Sequence, residues 1–515
     1  MRRTSVWGLT IAALAGAAIA SCNFTLGVDP YLDAGDKASS ASSGSGGAHG
    51  GAGGGGMGGT GGVAIPAGAA VWAHALGTSG DDTVKAIAVS QTTGNIFLTG
   101  KTGAAGALGC PNVTDAGGPS MGGYLIEVDE QGACVWGVFF GLGAEGTGVA
   151  VDGNGYIALT GTFTGDLSLY TFAPSQGHQS SFVARIRPTK ALQWAHLVAS
   201  DAMNTATTTS LAMNGNHVYC GGSSNGKLII DSVAGDPPVS GGQDGFVLDC
   251  DTADAGACKV SVTISGNGTT DQQVLGVAVS PDASELSIAG VSGGDTGFNS
   301  STALPAPAGT SMSPNAILGS FLASNYHVKR NAMFGNGKSQ SGQCVAYAGS
   351  GALFFAGTYD GALEVITPPL MNNASPSVFL ARFDQGSVVA GGAVSLAATM
   401  SGMNAEDVHG LAADVTGNVV MVGTLRGKAS LGSLSATSAG DDDIYVARLD
   451  KALKPLWLTS FGTATGAESA DAVALTADGG IIVAGHFNGK SSFHLGKNVL
   501  STNGGDDIFI ARLKP

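Results

Sequence analysis

A glycine recurs along this chain at nearly constant spacing, each time at the end of a short apolar run. It stands at seven positions: Gly100, Gly161, Gly221, Gly290, Gly357, Gly423 and Gly485. Successive positions differ by 61, 60, 69, 67, 66 and 62 residues. Such a repeat makes each unit one supersecondary structure that buries its apolar face against its neighbours. A glycine at one fixed place indicates a positive φ or a close backbone approach.

Each unit contains three short apolar runs, and the last unit shows them most clearly. Asp471–Leu475 leads through a turn to Ile481–Gly485, and Ile508–Leu513 follows a loop. Runs rich in β-branched and aromatic residues, bounded by Gly, Asp and Asn, predict antiparallel strands. The third run occurs in seven copies, beginning at Tyr124, Phe182, Phe246, Ala316, Val378, Ile444 and Ile508.

A fourth strand follows the third in the first six units. Its candidates contain Trp136 and Trp194 or span 259–264, 327–334, 388–396 and 457–462. The seventh unit has no residues left for one after Leu513, but Trp72–Gly77, ahead of the first unit, matches the tryptophan strands. This segment is the candidate for the missing strand.

The repeat predicts an all-β fold, a seven-bladed β-propeller of four-stranded antiparallel sheets. An N-terminal strand at about residues 71–77 would join the last blade and close the ring, leaving no open end. The repeat exceeds the ~40–50 residues usual for propeller units. The additional residues are therefore expected in loops, most clearly at 101–121 and 291–313.

The units resemble a known bacterial repeat. A tryptophan strand ending in Gly, an A-x-A-V strand, a G-N-[IV]-x-x-T-G strand and a D-x-F-V-A-R-L strand carry the resemblance. They occur at Trp136–Gly141, Val149–Asp152, Gly155–Gly161 and Phe182–Ile186. They resemble the SBBP β-propeller repeat over about residues 71–513, most specifically in units one, two, six and seven. The resemblance implies a secreted or surface propeller and no catalytic residues.

The first 21 residues have the pattern of a signal peptide. Arg2 and Arg3 precede an apolar stretch too short to span a bilayer comfortably. Ile19–Cys22 resembles the lipobox of bacterial lipoproteins, which implies a lipid on Cys22 after cleavage. A plain secretory peptide cut nearby is the alternative. Asn23, in place of an aspartate, favours the outer membrane, on its surface or its periplasmic face.

Residues 22–66 are rich in Gly and Ser and cannot bury a core, so a disordered tether is expected there. The propeller domain would occupy 67–515. The whole chain has 38 acidic and 23 basic residues, a formal net charge of −15. Without basic clusters, this balance argues against nucleic acid and anionic membrane surfaces as partners. Membrane contact would then be through the lipid alone.

Paired acids stand ahead of several strands, at Asp81 and Asp82 and at the two clusters described next. Asp side chains accept backbone N–H bonds in turns, which is the preferred interpretation. The alternative is Ca²⁺, although no D-x-D-x-D-G loop is present. Its weak candidates are Asp441, Asp442, Asp443, Asp506 and Asp507. No other metal and no cofactor is expected.

Other motifs favour structural roles. Gly222–Gly226 and Gly290–Gly294 match GxSxG, but a nucleophile elbow needs a following helix, and none is predicted. Four tryptophans, at 72, 136, 194 and 457, begin equivalent strands and are expected to pack in or between blades, with sugar stacking as the alternative. His74 and His196 occupy matching places in different blades, so they are not expected to share a metal.

Disulfides can persist in an exported chain. Cys250 and Cys258 flank a predicted hairpin and form the preferred bridge, and Cys110 could reach Cys134. Cys220 and Cys344 fall in different blades and are expected to be free buried thiols. A Cys220–Cys250 pair on neighbouring strands stays open as an alternative.

These patterns predict a lipid-anchored monomer whose propeller binds a protein or a glycan at the cell envelope without catalysis. Loops from several blades around a central channel suit such a partner. One alternative is an enzyme acting on extracellular polysaccharide at the channel mouth, which would need acids or a histidine converging there. Another is a structural spacer of the envelope.

Overall fold

The computed structural model describes residues 65–515, apart from 111–112, 116–120, 169–177, 202–203, 215, 232, 235–241, 254–255, 267–269, 300, 308–312, 373–375, 385–393, 403, 405 and 489–491. The predicted signal peptide, Cys22 and nearly all of the predicted tether lie outside the described residues. Within the described part, every regular element is a strand, which confirms the all-β expectation. No helix there is long and apolar enough to cross a membrane.

The strands of the first half of the chain alternate with short turns. They are β1 (Ala70–Leu76), β2 (Thr83–Val89), β3 (Ile96–Thr102), β4 (Val113–Asp115), β5 (Gly122–Val128), β6 (Cys134–Gly141), β7 (Ala144–Val151), β8 (Ile157–Phe163), β9 (Ser180–Ile186), β10 (Leu192–Ser200), β11 (Ala206–Met213), β12 (His217–Ser224), β13 (Leu228–Ile230), β14 (Val233–Ala234), β15 (Asp244–Asp251), β16 (Cys258–Gly266), β17 (Gln272–Val279), β18 (Glu285–Ser292), β19 (Thr296–Phe298) and β20 (Ser301–Leu304).

The second half of the chain continues the same alternation of strands and short turns. Its strands are β21 (Asn315–Leu322), β22 (Val328–Phe334), β23 (Gln340–Tyr347), β24 (Leu353–Tyr359), β25 (Ala362–Leu363), β26 (Leu370–Met371), β27 (Ser377–Phe383), β28 (Leu396–Gly402), β29 (Glu406–Ala413), β30 (Val419–Leu431), β31 (Leu434–Leu449), β32 (Pro455–Phe461), β33 (Glu468–Leu475), β34 (Ile481–Asn488), β35 (Phe493–Leu495), β36 (Asn498–Leu500) and β37 (Asp506–Leu513).

Seven groups of four antiparallel strands follow one another along the described chain, and we call them sheets one to seven. Six of them pair in chain order: β2-β3-β5-β6, β7-β8-β9-β10, β11-β12-β15-β16, β17-β18-β21-β22, β23-β24-β27-β28 and β29-β30-β31-β32. Sheet seven has the order β33-β34-β37-β1, because β1 pairs with β37 from Ala70↔Leu513 to Leu76↔Ile508. Its outer strand thus comes from the opposite end of the chain.

The first strand of each sheet, the inner strand, packs against the inner strand of the next sheet. These contacts run from β2 to β7, β11, β17, β23, β29 and β33, and β33 contacts β2 again. The apolar cores lie between neighbouring sheets. One of them joins Ile482 and Ile510 of sheet seven to Val84 and Ile126 of sheet one. The series of contacts therefore returns to its starting point.

The repeated glycine marks a close backbone approach. In all seven sheets it lies opposite the inner strand, and a Cβ added there would meet a carbonyl oxygen of that strand. At Gly357 this oxygen, from Ser341, would lie 1.8 Å away, and at Gly485 the Ser469 oxygen would lie 1.9 Å away. None of these seven glycines has a positive φ. In sheet three the equivalent glycine is Gly222, so the assignment to Gly221 is wrong by one residue.

Part of the additional length forms short hairpins between the second and third strands, so the expectation of loops alone is wrong. The hairpin β19–β20, within 291–313, pairs with β16 of the preceding sheet. In the same way β13 of the hairpin β13–β14 pairs with β10, and the extended end of β30 pairs with β28. In 101–121, β4 pairs in parallel with β6. These hairpins connect successive sheets at one end of the strands.

The fourth strand of sheet five is shifted from its predicted place. It spans Leu396–Gly402, whereas the sequence suggested 388–396. Residues 388–393 of the suggested strand lie outside the described residues, and the described strand begins at Leu396. Met400, fully buried opposite Val378, fixes the observed register instead.

Disulfides join Cys250 to Cys258 across β15 and β16 and Cys110 to Cys134, with Cα–Cα distances of 4.0 and 5.3 Å. Cys220 is a buried free thiol, so it does not pair with Cys250. Cys344 is half of a disulfide, and the expectation that it is free is wrong.

The arginine of the D-x-F-V-A-R-L strand has a structural partner. Arg185 Nη2 lies 3.1 Å from Asp152 Oδ2, and Arg448 Nη2 lies 3.2 Å from Asp414 Oδ2. Each aspartate stands in the turn after the inner strand, where its other oxygen accepts backbone N–H bonds. These pairs fasten the third strand to that turn at the end of the sheets remote from the added hairpins.

Candidate functional site

A β-bulge occurs at the same place in all seven inner strands, directly after the residue that faces the repeated glycine. A bulge leaves one residue unpaired and redirects its side chain. The glycine allows the inner strand to approach this closely. The unpaired residues are Lys85, Thr147, Thr209, Leu275, Gln343, His409 and Asp471. We call them the second ring.

A further set of side chains lies two residues earlier on each inner strand. This first ring consists of Thr83, Glu145, Thr207, Gln273, Ser341, Asp407 and Ser469. Its members are half-buried except Ser469, which is buried. Beyond the bulge the inner strands carry small and branched apolar residues that are fully buried, such as Ile87, Val149 and Val345. The polar surface is therefore confined to the end where the inner strands begin.

Ring side chains connect neighbouring sheets. Lys85 Nζ of sheet one lies 3.9 Å from Glu145 Oε1 of sheet two. Thr209 of sheet three donates its hydroxyl to the carbonyl oxygen of Val274 of sheet four at 2.6 Å. Because the inner strands contact one another in a closed cycle, such bonds bring polar groups of different sheets to one place.

The strongest charge cluster spans sheets five to seven. Gln343 donates to Asp407 Oδ1 at 2.9 Å, and Asp407 Oδ2 lies 3.4 Å from His409 Nε2. On its other side His409 Nδ1 lies 3.7 Å from Asp471 Oδ1. Asp471 Oδ2 lies 2.7 Å from His486 Nδ1. The cluster thus alternates carboxylate and imidazole, which favours charged forms of both.

Burial alone would lower the pKa of His409, but the hydrogen bond to Asp407 and the charges of Asp407 and Asp471 raise it overall. The pKa of His486 is raised in the same way, since the charge and hydrogen bond of Asp471 outweigh burial. Burial raises the pKa of Asp471, yet His486 and His409 lower it overall. The cluster offers donors from imidazolium and acceptors from carboxylate, which suits binding of hydroxyl or carboxylate groups.

The alternating cluster predicts a measurable pKa dependence. Replacing Asp471 with Asn removes the carboxylate between the two imidazoles, so the pKa values of His409 and His486 should fall. NMR titration of the imidazole protons measures this. Asp231→Asn is the matched control, because Asp231 contacts His196 and not this cluster. Unchanged pKa values of His409 and His486 in Asp471→Asn would contradict the described contacts.

The weak calcium candidates are dispersed, and no group of three or more His, Cys, Asp or Glu side chains among the described residues is arranged to hold a metal ion. Asp442 pairs with Arg426 at 2.8 Å on the surface, and Asp506 accepts from Asn488. Asp443 and Asp507 are buried and accept the backbone N–H groups of Ala439 and Asn503. Asp441, two residues before Asp443 in the chain, is exposed.

Other sequence candidates have local partners. Ser224 and Ser292, the serines of the two GxSxG matches, are buried and bond within their own turns, to the carbonyl oxygens of Gly226 and Gly294. His74 contacts the Gln131 carbonyl oxygen at 2.9 Å, and His196 contacts Asp231. None of these four belongs to the rings.

The tryptophans also have local contacts. Trp194 is buried, and Trp72, Trp136 and Trp457 pack half-buried against core clusters. They do not belong to the rings either.

The sequence contained a signal for the rings that the strand analysis missed. Second-ring residues recur with the same period as the glycine, yet they vary in chemistry from Lys to Leu to Asp. The repeats were aligned on the residues that they share. A position that recurs at the same place in each repeat but holds a different residue type each time is not found in this way. His409 and His486 come together with Asp471 only because β29, β33 and β34 are neighbours.

No protein-family model and no curated protein matches the chain, so the resemblance to the SBBP repeat stays a prediction. Solved structures with similar arrangements include hydrazine synthase of Kuenenia stuttgartiensis, with 11% identity, 81% of this chain and 95% of that chain covered, and a TM-score of 0.39. The C-terminal WD40 domain of Sif2 has 10% identity, coverage of 85% and 97%, and a TM-score of 0.41.

An ulvan lyase of polysaccharide lyase family PL25 has 10% identity, coverage of 80% and 93%, and a TM-score of 0.39. At this level the likenesses carry no argument about what the chain does.

Proposed function

We propose that this protein is a non-catalytic binding module, a seven-bladed β-propeller that contacts a protein or glycan of the cell envelope at its polar rings. The observation that carries the proposal is the polar surface where the inner strands begin, to which six of the seven strands contribute half-buried polar side chains. Donors and acceptors of several sheets meet there, as in sites that recognise polar partners. The short hairpins beside the third strands begin at the same end of the sheets and extend this surface.

The contacts between successive sheets support the propeller. The inner strands contact one another in a cycle that returns from β33 to β2, and β1 completes sheet seven. In this scheme the N-terminal strand ties the ring together and the long tether precedes it. A rigid ring holds the ring residues in fixed positions, which lowers the entropic cost of binding.

Binding at the rings is tested by a panel of envelope polysaccharides and envelope proteins probed with the purified protein, with and without Ca²⁺. The double variant Lys85→Ala/Glu145→Ala removes one cross-sheet pair of the rings, and we expect it to weaken binding about tenfold or more. Lys451→Ala, an exposed change in the turn between β31 and β32 at the other end of the sheets, is the matched control. Equal loss in both variants would place the site elsewhere.

If no polysaccharide or protein of the panel binds, the result would instead favour the structural spacer. The enzyme alternative would need a histidine that can exchange a proton with a substrate, whereas His409 and His486 already have carboxylate partners in the fold.

The lipid anchor is a separate part of the proposal, and the sequence around Cys22 supports it. Replacing Cys22 with Ala should move the protein from the membrane fraction to the soluble fraction, since thioether attachment of lipid requires the thiol. Cell fractionation with immunoblotting measures the distribution, and Cys220→Ala is the control because that thiol is buried in the core. Membrane association that persists in Cys22→Ala would contradict lipidation.

A further inference from the structure

The junctions between sheets share a backbone hydrogen bond. At five junctions the residue that precedes or opens an inner strand donates its N–H to the carbonyl of the residue that precedes or opens the third strand of the previous sheet. Asp82 donates to Asp506 at 2.7 Å, and Glu406 donates to Pro376 at 3.2 Å. Since the next residue of the third strand then lies beside this donor, the side chains at these two positions meet in the junction.

Two of these junctions place acid against acid, one on each side of sheet seven. Asp507 lies against Gly77, and Asp82 of sheet one accepts the N–H of the next residue, Thr78. Likewise Asp443 of sheet six lies against Gly462, and Glu468 of sheet seven accepts the N–H of Thr463, so the two acids of each pair lie close together. All four side chains are buried, with at most 1% of each residue exposed. Burying two ionised carboxylates side by side is strongly unfavourable, because each loses hydration and repels the other.

The hydrogen bonds of each pair are unequal. Asp82 accepts from Thr78 and Gly103, and both oxygens of Glu468 accept from Thr463. Asp443 and Asp507 use only Oδ2 for this purpose, and the buried Oδ1 atom of each has no hydrogen-bond partner among the described residues. One acid of each pair therefore has an oxygen that is buried and unsatisfied.

These oxygens have no room for solvent on the side of the fourth strand. A Cβ at Gly77 would lie 2.1 Å from Asp507 Oδ1, and a Cβ at Gly462 would lie 2.1 Å from the Asp443 carboxyl carbon. A proton on Oδ1 would turn the unsatisfied acceptor into a donor toward the facing carboxylate. The same proton would remove one of the two charges.

We propose that each pair, Asp443 with Glu468 and Asp507 with Asp82, takes up one proton from solvent and shares it through Oδ1 of Asp443 or Asp507. The shared proton fastens sheet seven, which contains the N-terminal strand, to both of its neighbours. The ring is thereby more stable in mildly acidic surroundings than in alkaline ones.

The surrounding charges are consistent with this arrangement. Burial raises the pKa of Asp507 to about 6. The hydrogen bond from the Asn503 N–H opposes this rise, and the charges of Asp82 and Asp506 add to it. Burial also raises the pKa of Asp443, with Asp442 adding to it. The pKa values of Asp82 and Glu468 are raised chiefly by burial, with Asp81 adding at Asp82 and Asp443 at Glu468.

Two further groups face the pairs. The charge of His486 opposes the rise in the pKa of Glu468. The buried Tyr124 lies near Asp82. A carboxyl group whose pKa is raised on folding contributes stability that is present at low pH and is lost as pH rises through its folded pKa.

The test compares thermal unfolding of the full chain at pH 5 and pH 8. The wild type should lose about 5 °C or more in Tm over this range, whereas Asp443→Asn/Asp507→Asn, whose amides cannot ionise, should lose clearly less. Asp441→Asn, which changes an exposed neighbouring acid, should keep the full slope. Burial raises the pKa of Glu406 to about 8. Because Glu406 is present in all three proteins, it adds the same dependence of Tm on pH to each of them.

Equal slopes in all three proteins would overturn the proposal. So would a Tm that Ca²⁺ raises at pH 8 in the wild type but not in Asp443→Asn/Asp507→Asn, because a cation would then occupy the junctions. If that variant does not fold, infrared spectra of Glu406→Gln, which lacks the other carboxyl with a strongly raised pKa, decide the question at pH 6 and pH 8. A protonated carboxyl band that is present at pH 6 and absent at pH 8 supports the shared proton, and no such band at pH 6 contradicts it.

Discussion

Adding one methyl group at Gly357 is expected to lower the free energy of unfolding by about 3 kcal/mol or more. The Cβ of an alanine there would lie 1.8 Å from the Ser341 carbonyl oxygen and 2.9 Å from the Phe379 ring. Neither the backbone of β23 nor the buried ring can move without disturbing the bulge at Gln343. The sheet would have to open along its inner strand, and Gln343 would lose its bond to Asp407.

Denaturant unfolding of Gly357→Ala measures this loss. Gly153→Ala is the matched control, because Gly153 has no positive φ and a Cβ there would meet nothing within 4 Å. Its stability should stay within about 0.5 kcal/mol of the wild type. If Gly357→Ala were as stable as Gly153→Ala, the close approach of the inner strand would not exist as described.

Deleting residues 67–78 is the second change with a large expected effect. It removes β1, so β37 loses its ladder from Ala70↔Leu513 to Leu76↔Ile508 and becomes an exposed edge. It also removes the Thr78 groups that bond Asp82 at the junction with sheet one. We expect a fall in Tm of about 10 °C or more, with aggregation of the unfolded chain.

Thermal unfolding followed by circular dichroism measures the effect. Deletion of residues 45–56, an equally long piece of the predicted tether, is the control and should leave Tm unchanged. A Tm that is unaltered by loss of 67–78 would show that the N-terminal strand does not hold sheet seven.

The strands were predictable from the sequence because their signal is local. Each combines β-branched or aromatic residues with Gly, Asp or Asn at the turn, and the period fixes their order. The fourth strand of sheet five was harder to place, because the register of β28 depends on Met400 meeting Val378 in the folded sheet. That contact joins residues that are far apart in sequence.

The polar rings and the acidic junctions could not be derived in this way. His409, Asp471 and His486 interact because three strands of two sheets are neighbours, and nothing in the spacing of the residues indicates it. The aspartates at 443 and 507 were recognised as a cluster with their neighbours. Burial separates Asp443 and Asp507 from the exposed Asp441 and the half-buried Asp442, and burial depends on how one sheet packs on the next.

The central claim is that the chain closes on itself through β1 and β37, and a cross-strand disulfide tests it most directly. Ala73 lies directly opposite Ala511, so the double variant Ala73→Cys/Ala511→Cys should form a disulfide on oxidation and show the mass of a cross-linked chain after proteolysis. Ala75→Cys/Ala511→Cys is two residues out of register, at a separation of about 7 Å or more, and should remain reduced. Cross-linking of the in-register pair alone is the result that a closed ring predicts. Failure of that pair to oxidise, or equal cross-linking of both pairs, would contradict it.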